Sequence, residues 1–122
     1  MGAATLRLPR SSRIKLRGDF ARAKARGERL VFGCIIANLA LRPPGLASRI
    51  GVVTSKRIGG AVQRSRARRL LREAFRLHQK ELTRPMDVVL VARPSIAGKK
   101  FSDVERDFLL TLRKSKTGAA TQ

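Results

Sequence analysis

The sequence has 122 residues, the size of one domain, and 43% of them are hydrophobic, enough for one modest core and too many for a disordered basic arm. Its 28 Lys and Arg against 8 Asp and Glu give a formal charge of +20, which self-repels in a compact chain unless a polyanion neutralises it. Nucleic acid is the leading partner on that ground; a membrane-targeting tail would gather its charge at one end, and the single Cys34 cannot build a disulfide framework.

In chain order, residues 1–12 read as a flexible basic arm, 13–116 as a single nucleic-acid-binding domain and 117–122 as a disordered tail. Gly18 to Arg26 is expected to form a short helix, with Asp19 in its first turn and Gly27 ending it. Leu30 to Leu41 is apolar and partly β-branched, a strand with a possible break near Gly33, and Cys34 within it reads as a small buried hydrophobe. The turn segment RPPGLAS follows. Arg49 to Ser55 is then a second extended segment, expected to pair with the first as a hairpin. After Gly59-Gly60 comes a long helix, roughly Val62 to Lys80. Met86 to Ala92 is a continuous apolar run, of the kind buried on both faces. Ser102, with Glu105 three residues on, has the form of a capping box opening a last helix, whose apolar stripe is Val104, Phe108, Leu109 and Leu112. The order α-β-β(-β)-α-β-α predicts an α/β sandwich, with helices packed on a small mixed β-sheet.

The long helix is the most informative element. At about 100° per residue, Ala67, Leu70, Leu71, Ala74 and Leu77 share one arc with Phe75 beside it, while Arg68, Arg69, Arg72 and Arg76 share the opposite one. Arg64 and Arg66 stand at the two borders. An ordinary exposed face would alternate signs to gain i,i+4 pairs; this one stacks like charges, at a cost of about 0.2–0.5 kcal/mol per pair. Phosphates would remove that cost, and the planar guanidinium fork suits their oxygens. Gly59-Gly60 could expose backbone amides to a phosphate or simply turn the chain; the spacing is not that of a nucleotide-binding loop.

Autonomous chemistry finds little support. Of the eight acids only Asp103, Glu105 and Asp107 cluster, and no metal site is expected from protein side chains alone. His78, the sole imidazole, lies near the apolar arc and reads as a satisfied core or border residue. No stretch approaches the roughly 20 apolar residues of a membrane span. A soluble, cytoplasmic protein with no membrane partner and no small-molecule substrate is expected.

The block SKRIGGAVQRSRARRLLREAFR resembles the signature of the bacterial ribonuclease P protein component, an Arg-Asn-Arg triplet followed by basic residues and R-E-A-F. RIKLRGDF, RIGVVTS and DVVLVARP match in order and spacing, so the resemblance spans roughly residues 13 to 112. It implies an α/β sandwich with a left-handed βαβ crossover. It also implies a protein that is inactive alone, acting in a 1:1 complex with a catalytic RNA that removes the 5′ leader of precursor tRNA using Mg²⁺. The RNA-facing positions it implies are Arg13, Lys15, Lys56, Arg57, Arg64, Ser65, Arg66, Arg68, Arg69 and Arg72. A leader cleft would involve Phe20, Lys24, Cys34, Ile36 and Asn38. Ser65 stands where the family usually carries Asn, giving a hydroxyl in place of the amide's donor and acceptor. Lys24 and Asn38 stand where relatives often carry aromatics, so stacking would rest on Phe20, unless that ring is an ordinary core anchor. Among rivals, a small basic ribosomal protein would share the charge without that signature. A DNA-binding regulator would need side chains aimed at base edges, which an almost purely arginine face does not supply.

Overall fold

The computed structural model describes residues 8–116. Its elements are α1 (Arg17–Arg26), β1 (Glu28–Phe32), β2 (Ile35–Leu41), β3 (Arg49–Val53), α2 (Ala61–His78), β4 (Met86–Ala92) and α3 (Phe101–Lys114). The four strands form one mixed sheet in the order β1-β2-β4-β3, with β4 antiparallel to β2 and parallel to β3. This is the predicted α/β sandwich, and β3–α2–β4 is its parallel crossover.

The expected hairpin between the second and third extended segments does not form. β4 is apolar on both faces, so burial drives it into the centre of the sheet, between β2 and β3. The hairpin is instead β1–β2, in register from Glu28 opposite Leu39 to Phe32 opposite Ile35. Gly33 turns it at a φ of 56°, as in glycine-first two-residue hairpin turns.

Strand alternation sorts the core. Ile35, Ala37 and Leu39 of β2 and Val88 and Leu90 of β4 face α2 and α3, where they meet Leu71, Phe75, Val104, Phe108 and Leu112. Val89 and Val91 face the other way, towards α1, where Ile14, Ala23 and Phe20 form a smaller cluster. Leu109 is only half-buried; the inner face of α3 uses Asp107 and Thr111 instead. Helix α3 also begins earlier than its expected Ser102 cap: Asp103 Oδ2 accepts from the backbone N–H of Lys100 at 3.0 Å. Glu105, freed from that task, reaches His78 Nε2 at 2.7 Å.

Ordered structure enters the stretch expected to be a free arm. Leu8 packs on the core, Arg10–Ser12 forms a turn of 3-10 helix, and Ile14 N–H donates to Ile50 O at 2.8 Å along the edge of β3. The expectations for residues 1–7 and 117–122 lie outside the described residues.

Candidate RNA interface

Helix α2 buries Ala67, Leu71, Ala74 and Phe75, so its arginine arc is turned from the core. Arg64 donates to Gly59 O at 2.8 Å, and Arg68 to Thr54 Oγ1 at 2.7 Å and Ser65 Oγ at 3.1 Å. Arg69 is exposed. Arg72 is half-buried, and that desolvation, with the like charges of Arg13 and Arg68, lowers its pKa from the ordinary guanidinium value. None of these pairs with a carboxylate among the described residues. Arg76 does: Glu73 meets it at 2.6 Å, so the predicted row of four bare guanidiniums is a row of three. Arg66 turns the opposite way and donates to Lys99 O at 2.7 Å, apart from the others. Ser65 is exposed, and so are Lys56 and Arg57 on the 3-10 turn ahead of α2. Gly59 follows them at a φ of 144°, a region that side chains disfavour.

All eight acids of the chain have partners within it. Asp87 takes Arg49 at 2.8 Å with Arg42 behind it, and Asp19 takes Arg22 at 2.8 Å and Arg49 at 3.4 Å. Glu28 accepts from the Lys116 N–H and Asp103 from that of Lys100. Glu73 holds Arg76, while Glu81 and Glu105 flank His78. Asp107 Oδ2 accepts from the Cys34 N–H at 3.0 Å and from its thiol at 3.3 Å. Negative charge is thus consumed by the fold, and positive charge is left over. The carboxylates are dispersed, and no group of three or more His, Cys, Asp or Glu among the described residues could hold a metal ion. The donor set does not fit a protein-bound Mg²⁺.

Two concavities flank Phe20. A cleft of about 430 Å³ lies between α1 and the sheet, with Arg17, Phe20 and Lys24 on the helix side and Arg29, Ile36 and Asn38 on the strand side. A second, of about 380 Å³, lies at the β3 edge, where Arg10, Arg13, Lys15 and Arg72 converge. Phe20 is seated against Gly51, where a Cβ would come within 2.5 Å of its ring. The Asp19–Arg49–Asp87 bridge ties α1 to the sheet beside it. Of the residues expected in the cleft, Cys34 is misplaced. It sits in the hairpin turn against Asp107 on the α3 side, and burial followed by the Asp107 bond pushes its thiol up to about 12. Arg17, Arg29 and Arg10 were missed. Arg29 lies opposite Asn38 in a register that was not predicted. Gly51 did carry a sequence signal, since glycine inside a strand marks close approach.

The Ribonuclease P family model matches residues 8–116, every residue just described. The chain belongs to the ribonuclease P protein family. The ribonuclease P protein component of Desulfovibrio desulfuricans is 37% identical over 110 residues, covering 88% of this chain and 85% of the relative. That of Ruegeria pomeroyi is 40% identical over 105 residues, covering 83% of each. The ribonuclease P protein of Staphylococcus aureus superposes with a TM-score of 0.78 at 23% identity, over 88% of this chain and 97% of its own. That of Thermotoga maritima gives 0.73 at 26%, over 85% and 97%. Membership makes the chain a subunit of ribonuclease P, the tRNA-processing endonuclease, and a ribosomal role is not favoured. No helix among the described residues is long and apolar enough to cross a membrane.

Proposed function

We propose that this ribonuclease P subunit works by charge and position, in a 1:1 cytoplasmic complex with a catalytic RNA that performs the cleavage. Arg68, Arg69 and Arg72 of α2, with Lys56, Arg57 and Arg64 at its start, lie along the backbone of that RNA. Arg13 and Lys15 extend the same surface across the β3 edge. The cleft beside Phe20 receives the single-stranded 5′ leader of precursor tRNA, with Arg17, Lys24 and Arg29 at its phosphates and Phe20 under a base. Mg²⁺ belongs to the RNA and the substrate.

What carries this reading is the division of charge. Eight carboxylates are bound up in the fold, while Arg68, Arg69 and Arg72 of α2 crowd together with no carboxylate partner among the described residues. Crowding like charges is unfavourable in the free protein and becomes favourable once phosphates lie among them. The test adds the protein to a bacterial ribonuclease P RNA at low Mg²⁺. Cleavage of precursor tRNA should be stimulated, with none from the protein alone. Unchanged cleavage would remove the proposal.

A further inference from the structure

Helix α1 forms one wall of the larger cleft, yet little of it is buried. Of its 10 residues only Asp19 and Ala23 are, and Leu16 ahead of it supplies no side-chain cap. A helix this short does not persist alone in water, where about 12–15 residues are needed. Its ends are tied down: Ile14 N–H donates to Ile50 O on the β3 edge, and only Gly27 separates Arg26 from β1. Ties at the ends leave open how the helix is turned about its own axis. That rotation decides what the cleft contains, because Arg17, Phe20 and Lys24 line it from one face while Asp19 and Ala23 meet the sheet from the next.

An ion relay sets the rotation. Strand β3 presents its alternate residues Arg49, Gly51 and Val53 to this side of the sheet, with Asp19 at the first, Phe20 on the second and the cleft over the third. Arg49 is itself anchored: its Nε and Nη2 donate to the two oxygens of Asp87, each at 2.8 Å, and this bidentate pair fixes the guanidinium plane. Its remaining nitrogen, Nη1, is thereby aimed at Asp19 Oδ2, 3.4 Å away. The Asp19 and Arg49 side chains are only 11% and 20% exposed, so solvent screens them far less than a surface pair. Apart from this pair, the grip of α1 on the sheet rests on Ala23, which is small, and on Phe20, the side chain that has to be placed.

We propose that Asp19 and Arg49 are positioning residues for leader recognition. Their ion pair, anchored by Asp87, holds α1 at the rotation that seats Phe20 on Gly51 and turns Arg17 and Lys24 into the cleft. Neither residue lines the cleft, so both act through α1. This rests on the cleft being the seat of the leader.

The test is a double-mutant cycle in the reconstituted holoenzyme, read as the ratio of dissociation constants for leaderless and leader-bearing tRNA. Asp19→Asn breaks the joint from the helix side and leaves the Arg49–Asp87 pair in place; Arg49→Met breaks it from the sheet side. Each should reduce leader preference by the same factor, on the order of fivefold, and the two together by no more than either alone. Asp19→Glu, which keeps the carboxylate, should retain most of the preference. Amide hydrogen exchange should quicken in α1 and not in α2 or α3, with affinity for the RNA subunit and for leaderless tRNA unchanged. Should Arg49→Met fail to fold, Asp19→Asn and its exchange pattern decide the matter alone. Additive losses, or an α1 that loosens while leader preference stands, would overturn the proposal. So would weakened binding to the RNA subunit with exchange quickened throughout, which would make the pair a prop of the whole fold. If Phe20→Ala leaves leader preference unchanged, the leader does not lie in the cleft, and the proposal falls with that reading.

Discussion

Arg72 separates function from stability. Burial and the neighbouring charges of Arg13 and Arg68 both disfavour its charged form, so its cation is a burden on the isolated fold. Arg72→Met should leave the thermal midpoint of the free protein unchanged or raise it, by a few tenths of a kcal/mol per like-charge pair relieved. The same substitution should weaken RNA binding, read by titration against the RNA subunit. A melt lowered by several degrees would make Arg72 a structural residue. Gly51 acts through a neighbour. In Gly51→Ala the new methyl would lie 2.5 Å from the Phe20 ring, which must shift. Destabilisation of about 1–3 kcal/mol is expected from such overpacking, measured by urea unfolding. The affinity ratio of leader-bearing to mature tRNA should fall with it.

At the scale of elements, His78 fastens the end of α2 to α3 through Glu105, with Glu81 on its other nitrogen. Burial lowers its pKa, but the bonds from Glu105 and Glu81 outweigh that, and the net direction is upward from 6.5. A raised pKa means the folded state binds the proton more tightly, so this stabilisation is complete below the unfolded value and is lost as pH rises through the folded one. Melts recorded from about pH 6 to about pH 9 should show the midpoint falling, with His78→Gln flattening that dependence. An equal fall in the variant would assign it to other groups. Elements of this kind were largely legible in the sequence. Periodicity marked α2 and α3, and the apolar run marked β4. Pairing was not legible, because β2 and β3 look like hairpin partners until β4 claims the slot between them. Nor was the face of Cys34: strand parity cannot be counted through the turn that Gly33 makes, and Asp107, which holds it, comes from an element 73 residues away. The Ser102 cap failed for a related reason, since Glu105 bonds across helices and Asp103 caps locally.

Across the whole molecule, the arginine surface predicts how association responds to salt. The slope of log K against log[salt] is about −0.7 for each single-strand phosphate contact, so Arg68→Ala combined with Arg69→Ala should make it shallower by about 1.4. An unaltered slope would place both side chains away from phosphate. The division of charge has a further result. Protonating carboxylates and His78 in acid can only carry the net charge upward from +20. RNA phosphates stay ionised through mild acid, so the more cationic chain would cling to its partner more tightly. Lowering pH would therefore fail to strip this subunit from its RNA, and concentrated neutral salt is the route to clean separation.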